Sequence, residues 1–217
     1  MTQFEAFKTD KIDNGLMVEY ESVFRHLLDQ PVRLLEIGIF RGGSLQLWDS
    51  LFRHPAAQLI GLDLRLPPLH CSPRVVAYEC DQNDTEGLLR VARDHGPFHI
   101  VIDDGAHMLT ETRNCFETLF PHLVPGGYYA IEDWAVGYWQ EKLPEYRGMV
   151  EFITGIVQNV PALNIGQFRI AANPGCVALF QKSVVSFQDK IVPPGTSTAE
   201  AYYRATVARD QEEAGGG

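Results

Sequence analysis

The sequence has few of the features that stabilise small secreted proteins or hold a chain in a membrane. Its four cysteines, Cys71, Cys80, Cys115 and Cys176, are widely spaced and form no CxxC pair, which fits packing residues in a reducing compartment better than a disulfide framework or a zinc site. No stretch approaches the ~20 apolar residues that a membrane span needs, and the first residues lack the apolar core of a signal peptide. We therefore expect a soluble, unprocessed, cytoplasmic protein.

Positive charge is also scarce, because 18 Lys and Arg residues stand against 28 Asp and Glu residues and give a formal net charge of -10. Nucleic-acid binding normally needs a basic patch, and the sequence has none. We therefore predict a small-molecule partner, no nucleic acid and no membrane, while a homo-oligomer is compatible with this composition. With 217 residues, 45% of them hydrophobic, the chain can form one ordinary α/β domain.

Short apolar runs alternate with helical patterns along the chain, which is typical of an α/β protein with a parallel sheet. The predicted strands lie at about residues 32–37, 58–63, 74–80, 98–102 and 128–131. Two further runs, 164–171 and 176–181, flank a turn signal and predict a terminal antiparallel pair. We expect residues 1–31 to form a cap segment and helix, residues 32–209 to form the main domain, and residues 210–217 to be a disordered tail.

Two carboxylates and an imidazole follow the fourth apolar run, in the segment Asp103-Asp104-Gly105-Ala106-His107. Glu132 and Asp133 follow the fifth run in the same way. If the two strands are parallel neighbours, their carboxyl ends converge and Asp104 meets Glu132 and Asp133 at one edge of a cleft. Clustered carboxylates are costly unless a cation lies among them, so a hard divalent ion is the simplest occupant.

A simpler interpretation gives the same acids a structural role as caps of the helices that follow them. His107 alone would more often be structural as well, although its place three residues after Asp104 favours a catalytic role. In the same region Thr110 predicts the N-cap of the next helix. Ser197 and Glu200 form a capping box for a last helix.

A strand, a glycine loop and a helix follow one another around Gly38 and Gly42, as nucleotide-type ligands require. The spacing is not the G-x-G-x-x-G of a dinucleotide site, and Glu36 would repel a pyrophosphate while suiting a ligand with a cationic head. Ser44 opens the helix, whose first amides offer donors. Asp63 ends the second strand, where an acid can accept both hydroxyls of a ribose.

Two further groups of candidate ligand residues follow strand ends. Asp81 and Gln82 end the third strand, where a side chain could reach an adenine edge, although Asp81 and Asp84 could equally serve as caps of the helix that follows from about Thr85. Tyr138 and Trp139 follow the fifth strand and are placed to form a wall of the substrate pocket, with core packing as the alternative.

These features resemble the class I S-adenosylmethionine-dependent methyltransferases. The sharper resemblance is to the metal-dependent sugar O-methyltransferases of macrolide and related antibiotic pathways, the mycinamicin and macrocin type. The blocks that carry it are, in order, Thr9-Asp10-Lys11, Leu35-Glu36-Ile37-Gly38, Gly43-Ser44-Leu45, Asp103-Asp104-Gly105-Ala106-His107, Leu119-Phe120-Pro121, Ile131-Glu132-Asp133 and Tyr138-Trp139. They cover most of residues 7 to 140.

The resemblance implies a Rossmann-like α/β fold with a mostly parallel seven-stranded sheet, a terminal antiparallel hairpin and helices on both faces. It implies S-adenosylmethionine bound near Glu36, Gly38, Gly42, Ser44, Asp63, Asp81, Gln82 and Asp103. It further implies magnesium held by Asp104, Glu132 and Asp133, with His107 as general base. Ala106 stands where a serine is usual, and larger members of the group carry an N-terminal domain that we expect to be absent here.

The chemistry fits these residues on independent grounds. An aliphatic hydroxyl is a poor nucleophile until a divalent ion lowers its pKa and a base removes its proton. All-oxygen ligation favours Mg²⁺, with Mn²⁺ as an alternative and zinc disfavoured. We therefore predict an O-methyltransferase acting on a hydroxyl, first of all a sugar hydroxyl, of a glycosylated natural product. The alternatives are a phenol, catechol or carboxylate O-methyltransferase, a metal-dependent hydrolase, and a non-catalytic S-adenosylmethionine-binding protein.

Overall fold

Strands and helices alternate along the chain as its hydrophobic pattern predicts. The computed structural model describes residues 7, 9–139, 141, 144–172 and 175–185, without the side chains of Trp139 and Glu145. The last helix predicted from Ser197 and Glu200 and the tail 210–217 lie outside these residues. Among the described helices, none has both the length and the apolar character that a membrane span requires.

Apart from the fifth, the strands begin and end within one residue of the predicted positions. The helices are α1 (Leu16–Phe24), α2 (Gly43–Leu51), α3 (Thr85–His95), α4 (Leu109–Leu119) and α5 (Met149–Gln158). The strands are β1 (Arg33–Ile37), β2 (Gln58–Asp63), β3 (Val75–Glu79), β4 (Phe98–Asp103), β5 (Leu123–Glu132), β6 (Ile165–Ala171) and β7 (Val177–Lys182). Short 3₁₀ segments occupy Arg25–Leu27, Phe120–His122, Trp134–Trp139 and Pro144–Tyr146.

The seven strands form one sheet in the order β3-β2-β1-β4-β5-β7-β6. The pairs from β3 to β5 are parallel, whereas β7 runs antiparallel to both β5 and β6. This topology confirms the predicted fold, including the antiparallel pair at the end of the described chain. The strand order also puts the carboxyl ends of β1, β4 and β5 side by side.

Two apolar clusters sandwich the sheet, one on each face. Because side chains alternate along a strand, Leu34 of β1 packs with α1 and α2, while Leu35 packs with α3, α4 and α5 on the opposite face. The central strands are apolar on both faces because both are covered by helices. Helices on both faces of the sheet therefore agree with the prediction.

Two local expectations need correction, and a third is confirmed. Thr110 does not cap α4, since Met108 is the N-cap residue and makes no side-chain capping bond. Strand β5 begins at Leu123, five residues before the predicted start, and Gly126, with a left-handed φ of 81°, lies where the register between β4 and β5 is interrupted. Asp84 does cap α3, because its carboxylate accepts the Gly87 N–H at 3.0 Å.

Candidate active site

A cleft of about 1180 Å³ lies at the carboxyl ends of the parallel strands. One of its ends is formed by the β1–α2 loop and the residues after β2 and β3, and the other by the residues after β4 and β5. The predicted site residues that line it are Gly38, Ser44, Asp63, Asp81, Gln82, Asp104, His107 and Asp133. This is the place where open α/β sheets bind their ligands.

Acidic side chains from β4 and β5 meet at one edge of the cleft, as the sequence predicts. Strand β4 is the parallel neighbour of β5, with Asp103 opposite Ile131, so Asp104 and Asp133 follow adjacent strand ends. One ligand atom each from Asp104, His107 and Asp133 lie within 4.8 Å of one another. These three side chains could hold a metal ion.

His107 lies between the two aspartates. Its Nε2 is 3.9 Å from Asp104 Oδ1 and 3.7 Å from Asp133 Oδ2. Its backbone φ of 55° is uncommon for a residue other than glycine, and such strain often occurs at functional sites. The imidazole is thus close enough to the acids to serve either as a base beside an ion or as a ligand.

Glu132 occupies a different environment from the other two predicted metal ligands. Its side chain is 2% exposed, and its oxygens accept hydrogen bonds from Lys11 Nζ at 2.7 and 2.8 Å and from the Tyr20 hydroxyl. To bind an ion directly, the carboxylate would have to share or leave these donors. Its role as a metal ligand therefore stays a prediction.

Lys11 supplies the cation for the buried half of the acid cluster. Its fully buried ammonium lies 2.6 Å from Asp104 Oδ2 and 3.4 Å from Glu36 Oε1, in addition to its bonds with Glu132. Burial alone would lower the pKa of Lys11, but the ion pairs with Glu132, Glu36 and Asp104 raise it well above its usual range. The sequence predicted a divalent ion as the simplest occupant of the cluster, and the structure shows that a lysine fills part of that role.

The glycine loop is held against both ends of the cleft. A Cβ on Gly38, whose φ is 83°, would lie 2.0 Å from the Asp104 carbonyl oxygen, so only glycine fits between β1 and the acid loop. Asp63 Oδ2 accepts the Ile39 and Phe40 N–H groups at 3.0 and 2.9 Å and fixes the next turn. Gly42, with a φ of 78°, is the N-cap residue of α2, which begins one residue before Ser44.

Two residues predicted to contact the cofactor face the protein interior instead of the cleft. Glu36 is fully buried and accepts hydrogen bonds from Ser44 Oγ at 2.8 Å and Trp48 Nε1 at 3.2 Å. Asp103 is 2% exposed, and burial raises its pKa to about 8. These positions favour a supporting role for both carboxyl groups, because neither lines the cleft.

The predicted substrate wall also differs from the structure. Tyr138 is 63% exposed, packs edge-on against Trp134 and does not line the cleft, while the side chain of Trp139 lies outside the described part of the chain. The cleft is lined instead by Phe7, Thr9, Asp10 and Asp13 from the segment before α1, and, besides burial, the charge of Asp10 contributes to raising the pKa of Asp133. Because these residues show no helical or strand period, the only available signal was the Thr9-Asp10-Lys11 block of the resemblance.

Replacing Asp63 with alanine should weaken binding of S-adenosylhomocysteine roughly 10- to 100-fold, the effect expected when hydrogen bonds to a charged group are lost. The carboxylate holds the glycine loop and is the predicted acceptor for the ribose hydroxyls. Calorimetric titration would measure the change, with Asp81→Ala as a second cleft variant. Unchanged affinity in Asp63→Ala would show that the loop binds no ribose here.

Comparison with known proteins relates this geometry to a reaction. No protein-family model matches the chain. It is 45% identical over 127 residues to the mycinamicin VI 2''-O-methyltransferase of Micromonospora griseorubida, a match that covers 55% of this chain and 31% of that protein. It is 35% identical over 158 residues to the L-olivosyl-oleandolide 3-O-methyltransferase of Streptomyces antibioticus, covering 65% of this chain and 40% of that protein.

Solved structures give the same relationship. The MycE methyltransferase of the mycinamycin biosynthetic pathway, in complex with Mg, SAH and mycinamycin VI, aligns with a TM-score of 0.66 and 35% identity over 82% of this chain and 51% of that one. The chain thus spans about half the length of MycE and less of the two relatives above. It has the class I methyltransferase fold and is a homologue of the sugar O-methyltransferases of macrolide pathways.

Proposed function

We propose that the chain is an S-adenosylmethionine-dependent, Mg²⁺-dependent O-methyltransferase that acts on a sugar hydroxyl of a glycosylated natural product. The observation that carries the proposal is the cluster of Asp104, His107 and Asp133 at one end of the cleft, opposite the Asp63 loop. A methyl donor at one end and a hydroxyl at the other would meet in a single cavity. The similarity to MycE, whose structure contains Mg, SAH and mycinamycin VI, supports this arrangement.

The donor set fits a hard divalent ion. Asp104 and Asp133 offer carboxylate oxygens at the cleft surface, and oxygen ligands suit Mg²⁺ or Mn²⁺. A bound Mg²⁺ would lower the pKa of an acceptor hydroxyl and orient it. Lys11 already balances part of the charge of Asp104 and Glu132, so the acids remain close together before any ion binds.

Residues of the chain remove the proton of the acceptor and bind the methyl donor and the acceptor. His107 takes the proton of the acceptor hydroxyl, because its imidazole lies between the two acids at the cleft surface. The Asp63 loop holds the nucleoside part of the methyl donor, and the wall of Thr9, Asp10 and Asp13 faces the acceptor. In methyl transfer the acceptor oxygen attacks the methyl carbon in line with the S–C bond, which breaks and releases S-adenosylhomocysteine, and a single cleft would hold donor and acceptor for this approach.

Metal removal gives the direct test of this function. Turnover of a glycosylated acceptor should be lost in excess chelator and restored by Mg²⁺, and calorimetry should detect binding of S-adenosylhomocysteine. A catechol and a phenol in the same assay would separate sugar from phenol acceptors. Full activity in chelator would assign Asp104 and Asp133 a structural role, and absence of S-adenosylhomocysteine binding would contradict the proposal as a whole.

A further inference from the structure

The side chain of Gln82 connects the cofactor end of the cleft to the loop that carries His107. Its Oε1 accepts the Ala106 N–H at 2.7 Å, and its Nε2 donates to Asp103 Oδ1 at 3.0 Å. The Gln82 backbone carbonyl in turn accepts Asn114 Nδ2 at 2.6 Å, which ties the residue to α4. Gln82 is only 9% exposed, and both ends of its amide are engaged within the protein.

The loop that Gln82 contacts is tightly constrained. The Asp104 N–H donates to the Ile37 carbonyl at 2.9 Å, and the next residues pass directly over the Gln82 amide. A Cβ on Gly105 would lie 2.3 Å from Gln82 Oε1, so the glycine lets the backbone approach. His107 then turns with a φ of 55°, a conformation that persists only where its surroundings enforce it.

We propose that Gln82 is a positioning residue for the methyl-transfer reaction, acting through the Ala106 amide to hold the loop that places the His107 imidazole between Asp104 and Asp133. The proposal deepens the proposed function and rests on it. Of the two side chains that could reach an adenine edge, Asp81 and Gln82, it favours Asp81, since the Gln82 amide already makes hydrogen bonds through its oxygen and its nitrogen.

A primary amide suits this position because it carries an acceptor and a donor in one rigid group. The acceptor serves the Ala106 N–H, and the donor serves the buried carboxyl group of Asp103. Methionine would fill a similar volume but satisfy neither. Glutamate would keep the acceptor and lose the donor that faces Asp103.

The first test uses Gln82→Met, which removes both hydrogen bonds while keeping the side-chain length. We expect kcat to fall about 10²-fold, because small misplacements of catalytic groups have effects of this order, and affinity for S-adenosylhomocysteine to stay within about threefold. Amide exchange at Ala106, followed by NMR, should become faster. In the neighbouring Asp81→Asn variant, affinity for S-adenosylhomocysteine should fall while the exchange rate at Ala106 stays unchanged.

The second test restores the hydrogen-bonded pair in a double variant, and it can still be carried out if Gln82→Met fails to fold. In Gln82→Glu alone, two carboxyl groups face each other and turnover should fall. In Gln82→Glu with Asp103→Asn, the introduced amide can donate to the introduced carboxylate, which can still accept the Ala106 N–H. Turnover of the double variant should then be at least about tenfold higher than that of Gln82→Glu alone, since the coupled pair is restored.

The outcomes separate the inference from the function on which it rests. Equal losses of kcat and of S-adenosylhomocysteine affinity in Gln82→Met, with Ala106 exchange unchanged, would make Gln82 a cofactor contact and overturn the proposal. So would a double variant no more active than Gln82→Glu. A wild-type protein with neither turnover nor S-adenosylhomocysteine binding would instead contradict the proposed function.

Discussion

Replacing His107 with alanine should reduce turnover by roughly 10²- to 10⁴-fold, the range expected for loss of a general base, while affinity for S-adenosylhomocysteine stays nearly constant. The reason is geometric. The imidazole lies 3.7 Å from Asp133 and 3.9 Å from Asp104, beside the acids proposed to hold the ion, and the Asp63 loop lies at the other end of the cleft. The substitution should therefore lower the rate of turnover without lowering the affinity for the cofactor.

Steady-state kinetics and calorimetry of both S-adenosylhomocysteine and Mg²⁺ would measure this effect, with the exposed His26→Ala as the matched histidine control. Turnover within about threefold of wild type, far less than the loss of a base produces, would remove His107 from the chemistry. A loss of Mg²⁺ affinity in the variant would make the imidazole a ligand.

Replacing Lys11 with methionine should lower the free energy of unfolding by roughly 3–5 kcal/mol, the usual effect of removing one partner from a buried ion pair. The Lys11 ammonium is fully buried and contacts Glu132, Asp104 and Glu36. Without it, carboxylates remain inside the protein with no cation among them. The loss should be large because burying an unpaired charge costs far more than losing a surface contact.

Urea unfolding followed by circular dichroism would measure this change. Arg53→Met removes one exposed cation and should change the free energy of unfolding by less than about 0.5 kcal/mol, as surface substitutions usually do. The double variant Lys11→Met with Glu132→Gln should regain part of the loss, because it removes both charges of the buried pair. A Lys11→Met protein as stable as wild type would mean that the acids do not depend on the ammonium.

The sheet and half of the site were predictable because both follow from local patterns. Short apolar runs define β1, β2 and β4, and the rule that parallel strands align their carboxyl ends brings Asp104 to Asp133. The β2 bounds were predicted without error, since Gln58 and Asp63 limit a run of apolar residues and one glycine.

The rest of the site depends on contacts that no local pattern encodes. Lys11 lies in a stretch without helical or strand period, and two of its partners, Asp104 and Glu132, are 93 and 121 residues away. Glu36 was expected to face a ligand because it adjoins the glycine loop, yet the alternation of side chains along β1 turns it towards Trp48. Tyr138 was predicted to line the substrate pocket because it follows β5 closely in the sequence. The 3₁₀ segment Trp134–Trp139 instead leaves its side chain largely exposed.

The long separation between Lys11 and its carboxylate partners has a consequence for the order in which the chain folds. When synthesis has reached residue 100, Lys11 has been made but Asp104 and Glu132 have not. An ammonium without these partners stays in water, since burying it alone is strongly unfavourable. Lys11 can therefore take its final buried position only when the chain has been made as far as Glu132, the last residue of β5.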